Sequence, residues 1–306
     1  MITAYYHPGF AAPIGEHIMP MQKFRLVAEA SRAMPEVQLV KPPPVTTEQL
    51  LRVHTREYIE AIRTGEPRDL AESQKFPWSQ QLFPSVCLTC GGCLAAARTA
   101  LSDGVAAALA SGFHHAHAER GEGFCTFNGL IIAADALHAE GKVRRVAILD
   151  LDLHYGNGTA LLAVTRPHVR ALSIYGNGYW DNTNYSDPAI LRHEDGANHR
   201  SAALPNGSGR AELFERLENF LPWLVEEGAP DLLLYQAGAD PYFEDPYSRL
   251  RLDHADLKAR DRFVFEFARK HGLPVAWVLA GGYTHDVSKV VQVHVNTFTA
   301  ALEVYR

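Results

Sequence analysis

The stretch RRVAILDLDLHYGNGTA, residues 144–160, opens as an apolar run and closes on Asp150, Asp152 and His154 at alternate positions. Residues two apart on a β-strand share a face, so the alternation predicts that these three side chains point the same way from the strand's carboxyl end. Two carboxylates and an imidazole are very costly to bury there without compensation. Something with positive charge is expected at this strand end.

Outward from this stretch, short apolar runs alternate with helical patterns, the signature of a three-layer α/β/α domain with a mostly parallel central sheet. Strands are predicted at 2–6 (ITAYY), 37–40 (VQLV), 105–111 (VAAALAS), 146–151 (VAILDL), 169–174 (VRALSI), 231–236 (DLLLYQ) and 274–280 (PVAWVLA). Amphipathic helices are predicted over 47–65, 91–104, 128–141, 211–228 and 254–272, several of them stopping at Gly. KPPP (41–44) and the stretch from Glu66 to Pro84 read as loops. There is no internal repeat, no low-complexity segment and no clear linker.

At 306 residues, 47% hydrophobic and 21% charged, the chain can bury a large core. A net charge of -6 gives no general attraction to nucleic acid or an anionic membrane, and it permits a basic partner such as a lysine-bearing chain or a polyamine. The opening MITAYYHPGF does not read as a signal peptide, and no later apolar stretch is expected to span a bilayer, so a cytoplasmic location is the default expectation. Oligomeric state is not legible. Four cysteines make no disulfide framework. Cys87, Cys90 and Cys93 cluster in CLTCGGC without a fourth ligand nearby, and read as small buried or helix-entry residues before any metal or redox role.

The segments that follow the strands carry the chemistry. FHHAHAERGEGFCTFNG, DLHYGNG, AGADPYFEDP and GGYTHD each follow a predicted strand, and in an open α/β sheet such segments converge beyond the strands' carboxyl ends. Asp152, His154 and Asp240 make a divalent-metal set that leaves positions open for water and substrate, as a catalytic zinc requires. Singly, each has an ordinary reading as a helix cap or a satisfied polar residue. His114 and His115 are candidates for proton transfer, with Asp150 and Asn157 as candidate partners; the alternative is a solvated loop. Tyr283 follows Gly281 and Gly282, whose freedom allows close approach to a ligand, so its hydroxyl is a candidate oxyanion donor, although GGY by itself reads first as a turn with a half-buried tyrosine.

Taken in order, GFHHAHAERGEGFCTFNG (112–129), ILDLDLHYGNG (148–158), YQAGAD (235–240) and LAGGYTHD (279–286) resemble the zinc-dependent histone deacetylase family, which shares its fold with the arginases. The likeness runs from HTREY (54–58) through TCGG (89–92) to the last helix. MPMQKFRL (19–26) and RDRFVF (260–265) look most like the class IV branch and its bacterial histone deacetylase-like amidohydrolases. The resemblance implies one deacetylase-like catalytic domain over 1–306. It implies zinc at Asp152, His154 and Asp240, His115 as general base and acid, His114 as an electrostatic partner, and Tyr283 polarising the carbonyl. Asp150 matches the carboxylate paired with the first histidine. Asn157 falls where relatives carry Asp or Asn, which gives His115 a neutral partner.

Gly123 and Phe124 match the backbone acceptor and aromatic wall of the acyl-lysine tunnel, with Tyr179 or Trp180 as the opposite wall and Gly282 lining the site. A potassium ion near Asp150, Asp152, His154 and Ser173 is also implied. Tyr155 stands where several relatives have His, and is expected to affect packing and not ligation. The implied reaction is hydrolysis of an N-acyl amide: an acyl-lysine protein or peptide, an acetylpolyamine, or a small acetylated metabolite. A two-manganese arginase-type centre needs more bridging acids than the sequence offers. A non-catalytic acyl-lysine binder has no use for the full set of ligands, histidines and tyrosine.

Overall fold

A computed structural model describes residues 1–177 and 195–306. Eight strands, β1 Ile2–Tyr5, β2 Val37–Val40, β3 Val105–Ala108, β4 Val146–Asp150, β5 Val169–Tyr175, β6 His199–Ala203, β7 Leu232–Gln236 and β8 Val275–Val278, form one sheet. Its order is β2-β1-β3-β8-β7-β4-β5-β6, and every neighbouring pair is parallel. The helices are α1 Gln22–Arg32, α2 Thr47–Leu51, α3 Arg56–Thr64, α4 Arg68–Ala71, α5 Leu82–Asp103, α6 Gly129–Ala139, α7 Asn157–Ala163, α8 Arg210–Phe220, α9 His254–Lys270 and α10 Val287–Tyr305.

Strand periodicity sorts the core into two layers. Val146, Ile148, Leu232, Leu234, Ala276 and Val278 pack with Ile59, Leu94 and Ile131 on one face. The intervening Ala147, Leu149, Leu233, Tyr235, Val275 and Trp277 pack with Phe24, Phe265 and Phe298 on the other. A sheet buried on both faces needs unbroken apolar strands, which is why they were legible in the sequence. The exception is β6, which was not expected: its HRSAA sequence buries only Ala202, as suits an edge strand.

Three helical expectations change. The 47–65 pattern is two helices, each with its own threonine cap: Thr46 accepts from the Gln49 amide and Thr55 from the Tyr58 amide. Between them His54 is buried, its Nδ1 2.8 Å from the His117 carbonyl and its Nε2 accepting from the Asn128 amide at 3.0 Å. Burial pushes this imidazole down to about 3, so it is a neutral strut beneath the loop that carries His114 and His115. The 211–228 pattern ends at Phe220 and continues as a 3-10 turn, Leu221–Val225, because Pro222 cannot supply a helical amide. The stretch from Glu66 to Pro84 contains α4 and the start of α5.

Contrary to expectation, α5 is long and apolar enough to cross a bilayer; most of it is buried against β3, β8 and α6. Cys87, Cys90 and Cys93 recur along it and are free and buried. Burial pushes the Cys87 and Cys93 thiols up to about 12, so they behave as small apolar core residues.

From β4 the chain steps outward to β5 and β6, then returns on the other side of β4 as β7 and β8. That reversal opens a crevice at the carboxyl ends of β4 and β7. Beneath the crevice, Arg260 of α9 is buried and its Nη1 donates to the carbonyls of Leu151 (3.1 Å) and Gly238 (2.9 Å), joining the segments after β4 and β7. Its Nε donates to Asp261 Oδ1 at 2.8 Å, and Asp261 also accepts from Tyr235 Oη (2.5 Å) and Thr297 Oγ1 (2.6 Å). Removing one partner of a buried ion pair strands the other. Arg260→Met is expected to lower unfolding free energy by about 3–5 kcal/mol in urea titrations, and adding Asp261→Asn to recover part of that loss. An unchanged midpoint in Arg260→Met would mean that the pair does not support the sheet.

Candidate active site

The β4 ladder ends at Asp150, paired with Ser173 on β5 and Gln236 on β7. Beyond it the chain leaves strand geometry: the Asp152 amide donates to Asp150 Oδ1 at 3.1 Å and the His154 amide to Asp152 Oδ1 at 3.0 Å. Leu151 and Leu153 continue the alternation on the side of Ala147 and Leu149, so the three polar side chains share the opposite side, as the alternation predicts. Asp150 turns to His114, while Asp152 and His154 meet Asp240 from the segment after β7.

Asp152, His154 and Asp240 are buried and offer ligand atoms within 4.8 Å of one another, the only such group among the described residues. His154 Nδ1 lies 3.3 Å from Asp152 Oδ1 and 3.2 Å from Asp240 Oδ2. Backbone amides hold both carboxylates, Gly281 donating to Asp152 Oδ2 (2.8 Å) and Leu153 to Asp240 Oδ1 (3.0 Å). A Cβ on Gly281 would stand 2.2 Å from Asp240 Oδ2, so only glycine fits behind this ligand. Burial alone would lower the His154 pKa, yet hydrogen bonds to the two carboxylates push it up to about 10. The donor set demands a cation, and one imidazole with two carboxylates fits a zinc ion with open coordination positions.

His114 and His115 lie beside this group with ring centroids 3.9 Å apart. His114 Nδ1 is 2.6 Å from Asp150 Oδ2, and its Nε2 is 3.7 Å from Asp152 Oδ1. Burial opposes its charge, but Asp150 and Asp152 outweigh burial and raise its pKa. His115 Nδ1 is 2.6 Å from Asn157 Oδ1, at the first position of α7. Burial, then repulsion from His114 and His154, holds His115 well below the ordinary histidine value. Adjacent histidines are thus driven to opposite states, one toward imidazolium and one toward neutral base.

Tyr283 is buried; its amide donates to Asp245 Oδ2 at 2.7 Å, and its ring stands edge-on to His154 at 6.2 Å. Burial, then the charges of Asp240 and Asp152, raises its phenol well above the usual value, so the hydroxyl stays a donor. Gly282, with φ of 138°, carries the chain from the ligand-facing Gly281 to Tyr283. Gly123 and Phe124, with φ of 50° and 65°, form a two-residue turn between the bridged Glu122 and Cys125, as a type I′ turn requires. The Phe124 ring stacks on Phe76 at 5.6 Å, meets His17 edge-on at 4.7 Å and lies 6.1 Å from Tyr283. Tyr179 and Trp180 lie outside the described residues. Ser173 Oγ accepts from the Gly156 amide at 3.3 Å, and Tyr155 packs on Tyr175 with ring centroids 5.2 Å apart.

Three residues at the site escaped the sequence reading. Tyr247 stands perpendicular to Tyr283 at 5.2 Å and edge-on to His154 at 5.7 Å. Asp245 accepts from the amides of both Tyr283 and Tyr247. Lys23 is fully buried in α1, and its Nζ donates to the carbonyl of Ala280 at 2.6 Å, pinning a non-glycine residue with φ of 58° just before Gly281. Burial pulls this ammonium down to about 8 against the pull of Asp240 and Asp152. The signal for Lys23 was its spacing: it lies four residues before Val27 and eight before Ser31 on the buried stripe of α1.

A histone deacetylase domain matches residues 17–298. The chain is 32% identical over 306 residues to an uncharacterised protein of Picosynechococcus sp., with 98% of each covered. It is 26% identical over 289 residues to the histone deacetylase-like amidohydrolase of Pseudomonas aeruginosa, covering 92% of this chain and 76% of that one. The crystal structure of acetylpolyamine aminohydrolase from Burkholderia pseudomallei matches it with a TM-score of 0.81 over 98% of both chains at 22% identity, a shared fold. With the family match spanning most of the sequence and the buried Asp-His-Asp group at the sheet's crevice, the chain belongs to the histone deacetylase family, hydrolases of the deacetylase and amidohydrolase class.

Proposed function

We propose that this chain removes an acetyl or longer acyl group from an N-acyl-lysine or a related acylated amine, with zinc held by Asp152, His154 and Asp240. The observation that carries the reading is the opposed pair of histidines beside a buried ligand trio. Zinc supplies Lewis acidity there, polarising a carbonyl and lowering the pKa of a water. His115, neutral, takes a proton from the attacking water and returns it to the departing amine nitrogen. His114, paired with Asp150, contributes fixed positive charge, and Tyr283 donates its hydroxyl hydrogen bond to the carbonyl oxygen as negative charge develops. Phe124 and Tyr247 give the substrate's alkyl chain an apolar passage, with the Gly123 carbonyl as acceptor for its amide. A potassium ion beside Asp150 and Ser173 belongs to the same proposal and rests on the resemblance alone.

Acetylpolyamine is the second reading. It is favoured by the acetylpolyamine aminohydrolase that shares the fold, and a net charge of -6 suits a polycationic substrate. Comparing kcat/KM on acetyl-lysine peptides of graded acyl length with that on N-acetylated polyamines separates the two. No turnover of any acyl amine by zinc-loaded protein would sink both.

Two mutational outcomes follow. Asp240→Ala removes one of three ligands and is expected to lose both bound zinc, by elemental analysis, and turnover; full zinc occupancy would overturn the ligand assignment. Chelation is likewise expected to abolish activity and zinc readdition to restore it. Tyr283→Phe keeps the ring and removes the donor, so kcat should fall on the order of 10²- to 10³-fold with KM little changed. A near-normal kcat on a plain acetyl-lysine peptide would make Tyr283 structural.

A further inference from the structure

Asn157 poses a problem for the base it supports. A carboxylate beside His115 Nδ1 could only accept, which would fix the proton on Nδ1 and leave the lone pair of the neutral ring on Nε2. An asparagine amide has an accepting and a donating end. Turned the other way, it would present Nδ2 to His115 Nδ1, move the ring proton to Nε2 and remove the ring's ability to accept there.

The far end of the amide settles the choice. Asn157 Nδ2 lies 3.1 Å from Glu122 Oε2 and 3.4 Å from His117 Nε2. The reversed amide would set its carbonyl oxygen against the Glu122 carboxylate, an acceptor against an acceptor. Glu122 is itself held in place: Oε2 is 2.5 Å from His117 Nε2 and 3.7 Å from Arg120 Nη2. Its backbone is bridged to Cys125 on both sides of the Gly123–Phe124 turn. The hydrogen bond from His117 also holds the Glu122 carboxyl below its ordinary range, so it remains an acceptor.

We infer that Glu122 is a positioning residue that orients the Asn157 amide and thereby fixes the Nδ1-protonated tautomer of His115. It supplies from one residue further out the acceptor-only character that a carboxylate at position 157 would supply directly. The inference rests on His115 acting as the base, but its first readout does not. In zinc-loaded protein with ¹⁵N-labelled histidine, the ring shifts of His115 should report Nδ1–H in the parent and a growing Nε2–H population in Glu122→Ala. That variant should also lose on the order of 10- to 100-fold in kcat, with KM and zinc content near the parent's. Adding Asn157→Asp to Glu122→Ala should restore both the tautomer and most of the rate, because aspartate needs no partner to orient it. Asn157→Asp alone, which sets two carboxylates together, should be slower than that double variant. A fold defect would not be repaired this way. Parent-like His115 shifts in Glu122→Ala, or a rate loss that Asn157→Asp leaves in place, would overturn the inference. If no acyl amine is turned over by the parent, the ring shifts still decide the role of Glu122.

Discussion

Two carboxylates buried side by side, Asp152 and Asp240, are the constraint to which the rest of the molecule answers. Each costs several kcal/mol to take from water, and their mutual repulsion adds to that. The fold offsets the cost in layers. Backbone amides of Leu153, His154 and Gly281 satisfy the oxygens from behind; Arg260 brings buried positive charge to carbonyls of the two segments that carry them, and Lys23 brings it to the carbonyl just before Gly281. The charge left over is directed inward, toward a metal position. The same arrangement explains why glycine stands at 281: amides approach the ligands closely only where no Cβ intervenes.

The adjacent histidines show how one negative field yields two chemistries. Both rings are buried and touching, yet one faces a carboxylate and the other an amide. Burial lowers both proton affinities, but Asp150 and Asp152 outweigh it at His114, whereas at His115 the repulsion from His114 and His154 adds to it and the hydrogen bond to Asn157 offsets only part.

Much of this was legible in the sequence where local pattern and final role coincide. The inner apolar strands declared themselves because both sheet faces are covered there, and the four segments behind them declared the crevice because polar, glycine-rich sequence directly after a buried strand has few other uses. What escaped depends on contacts between distant residues. The break between α2 and α3 is set by His54 reaching residues 117 and 128. Lys23 and Arg260 sit on helices where a lone charge ordinarily means a solvated face, and only the packing of α1 and α9 against the sheet buries them. Strand β6 has an edge strand's polar sequence and so no apolar signature.

The turn at Gly123 and Phe124 links two properties that an enzyme of this kind would otherwise vary separately. Phe124 packs beside Tyr283, and Glu122, which bridges to Cys125 across the same short turn, bonds the amide of Asn157 that supports His115. A change of backbone at this turn that shifts Phe124 therefore also shifts Glu122 and, through it, the amide that holds His115.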